Sequence, residues 1–139
     1  MARFIKITAD PLDPSIAIQE VSDHASGAVN VFVGAVRNNS NGKKVVRLEY
    51  EAYEEMALSE MRGIIVEMKK RWPDVRCAMV HRLGVVDVGE ASVVIAVSAG
   101  HRENAYLASR FGIDTLKTLA PIWKKEIYSN GEVWKANQA

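Results

Sequence analysis

The chain has 139 residues, 48% hydrophobic and 25% charged, which is the balance of one compact globular domain spanning 1–139 rather than a disordered or disulfide-stapled chain. Its 18 lysines and arginines against 17 aspartates and glutamates leave a formal charge of +1, too little for the broad basic face that nucleic-acid binding needs. No apolar run reaches the about 18 residues of a membrane span, and the start MARFIKITADPLDP has no long apolar stretch or small-residue cleavage site. A cytosolic protein with no nucleic-acid or membrane partner is expected.

The first apolar alternation, RFIKIT at 3–8, predicts a strand. In PSIAIQEVSDHASG a helix is expected, with Asp13 as its cap, Pro14 at its first position and Gly27 as its stop. AVNVFVGAV (28–36) and VVRLEYEAY (45–53) read as strands, joined by a polar loop that carries Arg37, Lys43 and Lys44. The clearest helix runs from about Glu54 to Trp72. Ala57, Met61, Ile64, Ile65, Met68 and Trp72 share one stripe, acidic residues sit at its start, basic ones at its end, and Pro73 stops it.

VRCAMVH (75–81) predicts a strand in which Cys77, the only cysteine, is a buried thiol; one cysteine excludes both an intrachain disulfide and a thiolate-cluster metal site. LGVVDVGE is a short strand leading to a turn, and SVVIAVSA (92–99) a longer strand. A third helix is expected from near His101 to about Leu119, with Gly100 as N-cap and Ala105, Ala108, Gly112, Leu116 and Leu119 on one side. KEIYSNGEVWKAN then forms arms around Asn130-Gly131, a strong hairpin signal. The order βαββαβ(β)αββ predicts an α+β fold, with helices packed on a mainly antiparallel sheet and a C-terminal β-hairpin.

Chemistry is concentrated in two places. The third helix opens as SAGHRENA, where His101 and Arg102 set cations in a first turn whose dipole disfavours them by about 0.3–1 kcal/mol. A bound anion, phosphate or carboxylate, gives them a reason; two side chains splayed into water is the plain alternative. The second place is LKTLAPIWKKE, where Lys117, Lys124 and Lys125 crowd around Pro121 and Trp123 with only Glu126 to answer them. Lysine serves as an acid, a base or an electrostatic clamp, although three lysines near a helix end are also ordinary surface charge. His24, His81 and His101 have no metal-ligand spacing, and no phosphate-binding, nucleophile-elbow or dinucleotide motif is present.

Taken in order, FVGAVRNNSNG, LEYEAYEEMA, RWP, HRLG, AGHRENA and LKTLAPIWKKE resemble the large, catalytic subunit of molybdopterin synthase, the MoaE family, from about Gly27 to Trp134. The resemblance implies a hammerhead-type α/β architecture and no cofactor or metal. It implies a sulfurtransferase that places two sulfurs in cyclic pyranopterin monophosphate to make the dithiolene of molybdopterin. The implied sulfur donor is a small ubiquitin-like carrier whose C-terminal Gly-Gly ends in a thiocarboxylate, and the implied assembly is a heterotetramer built on a dimer of this chain. Position by position, catalysis falls to Lys117 and Lys124, and substrate binding to Arg37, His101, Arg102 and Lys125, with Lys125 able to share the part of Lys124. Pro121, Ile122 and Trp123 are expected to form an apolar wall for the carrier tail, whose last glycine is expected to reach Lys117. The alternative from another class is a non-catalytic module that binds a phosphorylated metabolite at the helix start.

Overall fold

The computed structural model describes residues 3–137. Nine strands and three helices follow one another as β1 (Arg3–Thr8), α1 (Pro14–Val21), β2 (Ala28–Ala35), β3 (Asn39–Ser40), β4 (Lys43–Ala52), α2 (Glu54–Arg71), β5 (Arg76–Arg82), β6 (Gly84–Asp87), β7 (Ala91–Ala99), α3 (Arg102–Leu119), β8 (Ile122–Tyr128) and β9 (Val133–Asn137). The α+β expectation holds, and the polar loop after β2, expected to be without strand, contains β3, which pairs back on β4 around Asn41-Gly42.

Two sheets share the core. The first has the order β1-β5-β7-β2, in which only β1 and β5 run parallel. The second is antiparallel, ordered β3-β4-β8-β9 with β6 also paired to β4. Strand alternation sends Cys77, Met79, Ile95 and Val97 to one face of the first sheet, where they pack with Met61, Ile65 and Met68 of α2 and Leu116 of α3. Ala78, Val94 and Ala96 point to the other face, under Ala17 and Val21 of α1. Burial pushes the Cys77 thiol up to about 12, so this side chain behaves as a small apolar group.

α1 is capped as expected: Asp13 accepts the Ser15 N–H at 2.9 Å and Pro14 follows it. It ends at Val21, however, well before Gly27. Ser22 turns extended while its N–H and hydroxyl both donate to the Ile18 carbonyl. Gly27 has a different task, because a Cβ there would lie 2.6 Å from the Gly100 carbonyl oxygen. α2 buries its whole predicted stripe except Trp72, which is its C-cap and meets Phe111 of α3 edge to face at 5.9 Å. In α3 the cap is His101, one residue later than expected, and Leu119 is 52% exposed, whereas Ser109 and Ile113 are buried with Ala105, Ala108, Gly112 and Leu116. No helix among the described residues is long and apolar enough to cross a membrane.

Candidate active site

β8 decides the chemistry by its parity. It pairs antiparallel with β4, placing Ile122 opposite Ala52, Lys124 opposite Tyr50 and Glu126 opposite Leu48. Ile122, Glu126, Tyr50 and Leu48 are buried, so this parity is the inner face and Lys124 lies on it. Trp123 and Lys125 point the other way. Trp123 meets Tyr53 edge to face at 5.0 Å, and Lys125 faces Glu49 at 3.6 Å.

The inner face opens into a cavity of about 370 Å³. Lys124 and Glu126 reach it from β8, Lys117 from the last turns of α3, and Arg37 from the end of β2. Asn39 and Ser40 of the β3–β4 hairpin close one side, and Tyr50 and Ser92 line another. Successive residues Phe32 to Ala35 also line it, so the cavity meets β2 at its free edge, where backbone groups are available. Gly34 is needed there, because a Cβ would lie 2.7 Å from Val93 Cγ1.

The cations in the cavity are unequally answered. Lys124 Nζ lies 3.4 Å from Glu126, whose carboxylate also accepts the Tyr128 hydroxyl at 2.5 Å. Burial pushes the Glu126 carboxyl up, but the Tyr128 hydroxyl and Lys124 together outweigh it and hold the group below the usual carboxylate range. Glu126 is therefore an anion at neutral pH and fixes Lys124 against the wall. Arg37 and Lys117 have no ion-pair partner among the described residues, both side chains are exposed, and their charge is available to a ligand. Burial raises the Tyr50 hydroxyl above its ordinary value, so this wall is a neutral phenol.

Of the six expected site residues, the structure brings Arg37, Lys117 and Lys124 together. Lys125 lies outside the cavity, on the opposite face of β8, which separates it from its neighbour Lys124. His101 and Arg102 lie at the far end of α3 from Lys117, about 22 Å away along the helix axis. Their helix start already has an anion of its own, because Asp74 accepts the Gly100 N–H at 2.8 Å and lies 3.4 Å from Asn104 Nδ2. The expected apolar wall also divides: Ile122 is fully buried in the core and Trp123 faces away from Lys124. Glu126, Tyr128, Ser40 and Tyr50 were not among the expected site residues. The signal for Glu126 and Tyr128 was the alternation from Ile122 onward.

Comparison with known proteins gives this site relatives. Residues 7–119 match the family model described as MoaE protein. A molybdopterin synthase catalytic subunit of Bacillus subtilis is 46% identical over 138 residues, which cover 99% of this chain and 87% of the relative. The X-ray structure of molybdopterin synthase from Staphylococcus aureus has a TM-score of 0.91 at 36% identity, covering 95% of this chain and 96% of that one. A complex of subunits 1 and 2 of molybdopterin-converting factor from Helicobacter pylori has a TM-score of 0.74 at 26% identity, covering 99% of this chain and 90% of that one. From its sequence match and its fold alike, the chain belongs to the MoaE family.

Proposed function

We propose that the chain is the catalytic subunit of a molybdopterin synthase, a sulfurtransferase that converts cyclic pyranopterin monophosphate to the dithiolene of molybdopterin. The observation that carries this reading is the convergence of Arg37, Lys117 and Lys124 on one cavity next to a free strand edge. Both ligands of the reaction are anions, the substrate phosphate and the carrier's terminal thiocarboxylate, and two cations without carboxylate partners suit them.

The carrier's thiocarboxylate sulfur attacks the hydrated carbonyl carbon of the pterin side chain and forms a C–S bond as one C–O bond of that carbon breaks, its oxygen taking a proton and leaving as water. Water then cleaves the resulting thioester, leaving the sulfur on the pterin and a carboxylate on the carrier. A second carrier repeats the sequence at the neighbouring carbon, with opening of the cyclic phosphate. Lys117 stabilises the oxyanion that develops at the thioester carbonyl and exchanges protons there. Lys124, held by Glu126, orients the substrate, and Arg37 takes the phosphate.

His101 and Arg102 join this site from a second copy of the chain. The support lies beside the cavity, where β2 is an uncharged edge strand, AVNVFVGA, with Val29 and Val33 more than 40% exposed. A groove along it continues over Tyr106 and Ile113 of α3 and shares Phe32 and Lys117 with the cavity. Copies packed on this face about a two-fold axis perpendicular to α3 lay their α3 helices antiparallel, which brings the start of one next to the end of the other. Incubating the chain with a thiocarboxylated carrier and cyclic pyranopterin monophosphate tests the function: dithiolene product supports it, and an unchanged pterin overturns it.

A further inference from the structure

Lys124, Glu126 and Tyr128 are successive inner-face residues of β8, so they stand in one row, about 7 Å apart at the backbone. At that spacing the strand alone does not press the lysine against the carboxylate. What fixes the pair is the way Glu126 divides its two oxygens. Oε1 accepts the Tyr128 hydroxyl at 2.5 Å, and Oε2 faces Lys124 Nζ at 3.4 Å. A carboxylate held through one oxygen turns only by breaking a short charge-assisted hydrogen bond, so its other oxygen stays on the lysine. The Ser40 hydroxyl gives the carboxylate a further hydrogen bond.

Tyr128 is itself held by backbone. Its N–H donates to the Glu132 carbonyl at 3.0 Å, its carbonyl accepts the Gly131 N–H at 3.1 Å, and the next N–H, of Ser129, donates to the Lys44 carbonyl at 3.0 Å. The Glu126 carboxylate pushes the Tyr128 hydroxyl above its ordinary value, which keeps it a hydrogen-bond donor. Tyr128 does not line the cavity, so its hydroxyl can influence a ligand there only through Glu126 and Lys124. Lys43 lies 5.6 Å over the Tyr128 ring and bridges to Glu132 at 2.7 Å, but that pair is about half exposed and contributes little.

We infer that Tyr128 is a positioning residue of the reaction: its hydroxyl holds the Glu126 carboxylate so that Lys124 keeps its place in the cavity, and it does so without touching either substrate. The inference rests on the function proposed above, in which Lys124 orients the pterin. Loss of the hydroxyl therefore falls on pterin affinity more than on the chemical step that Lys117 serves. It also falls on the pH range. Burial pushes the Glu126 carboxyl up and the Tyr128 hydroxyl pushes it down, so without that hydroxyl Glu126 takes up its proton at a higher pH and releases Lys124 there. Glu126 is the only carboxylate that lines the cavity. Lys124, Lys117, Arg37 and the Tyr50 phenol are the other charged or titratable groups around it, and Lys43 lies beyond the Tyr128 ring.

Tyr128→Phe keeps the ring and removes only the hydroxyl. With thiocarboxylated carrier in excess, steady-state rates at pH 7 are expected to show the pterin KM raised about tenfold and kcat within about twofold of the unmodified chain. Titration calorimetry of cyclic pyranopterin monophosphate is expected to show the same loss of affinity, growing from pH 7 to pH 5 relative to the unmodified chain. The substrate phosphate titrates alike with both proteins and drops out of that comparison. Glu132→Gln breaks the bridge to Lys43 and leaves the hydroxyl in place, so it separates the hydroxyl from a loosened hairpin; it is expected to leave pterin affinity and its pH course unchanged. Pterin affinity of Tyr128→Phe that matches the unmodified chain at both pH values, or a loss that Glu132→Gln reproduces, overturns the inference. If the unmodified chain itself binds no pterin, the proposed function fails with it, and that outcome is distinct from the other two.

Discussion

Protonation of His81 is expected to unfold this protein earlier than its carboxylates do. The ring is fully buried on β5, its Nδ1–H donates to the Arg82 carbonyl at 2.8 Å, and its Nε2 has no partner. A second proton would sit on Nε2 with nothing to accept it, and burial pushes the group down to about 4 from an ordinary 6.5. A folded-state value below the unfolded one means that the unfolded chain binds the proton more tightly. Stability is therefore complete above pH 6.5 and is lost as pH falls toward 4. With these two values, the linkage integral between pH 7 and pH 5 gives a loss of about 2 kcal/mol. Urea unfolding at pH 7, 6 and 5 measures it directly, because most carboxylates stay ionised across that range. His81→Phe keeps the ring that meets Tyr50 edge to face at 5.0 Å but cannot titrate. It is expected to be less stable at pH 7 by about 1 kcal/mol for the lost hydrogen bond, with a flatter profile down to pH 5. Equal pH slopes for the two proteins would refute the reasoning.

Lys117→Ala is expected to lower the sulfur-transfer rate by about 10²–10³ without lowering the melting temperature, since the side chain is exposed; steady-state rates and thermal melts check both. Lys124→Ala is expected to be damaging and Lys125→Ala nearly silent in the same assay, because β8 sends the two lysines to opposite faces. Glu126→Gln releases Lys124 and weakens the Tyr128 bond, and is expected to cost about tenfold in rate, read as a rise in KM for the pterin more than a fall in kcat. Arg102→Ala and Lys117→Ala are expected to be nearly inactive separately, yet to regain about a quarter of normal activity when unfolded and refolded together. In a mixed dimer one site then carries both lesions and the other none; full activity of Arg102→Ala alone would place Arg102 outside the site, and no recovery on mixing would contradict its reaching the site of the other copy.

The elements legible in the sequence are those with strong local signals. The α2 stripe from Ala57 to Met68 repeats at helical spacing between acidic and basic ends, and Asn130-Gly131 marks the last hairpin. Cations were also legible as a class, because Arg37, Lys117 and Lys124 belong to motifs that can be read without a fold. Their partition was not. Lys124 and Lys125 are adjacent in sequence, and only the pairing of Ile122 with Ala52 fixes which one turns inward. The helix start at His101 looked like an anion site on local grounds, but the anion that serves Gly100 comes from Asp74, which is 26 residues away in sequence. Long-range contacts of this kind leave no periodic trace.

The most direct measurement of the account follows the carrier and the pterin in one reaction. Thiocarboxylated carrier and cyclic pyranopterin monophosphate are mixed with the chain or with Lys117→Ala, and intact-mass spectrometry of the carrier is read beside the amount of dithiolene formed. The account predicts two carrier thiocarboxylates converted to carboxylates for each dithiolene, and little conversion of either reactant with Lys117→Ala. Carrier hydrolysis at an equal rate in the variant, or dithiolene formed without loss of carrier sulfur, would contradict it.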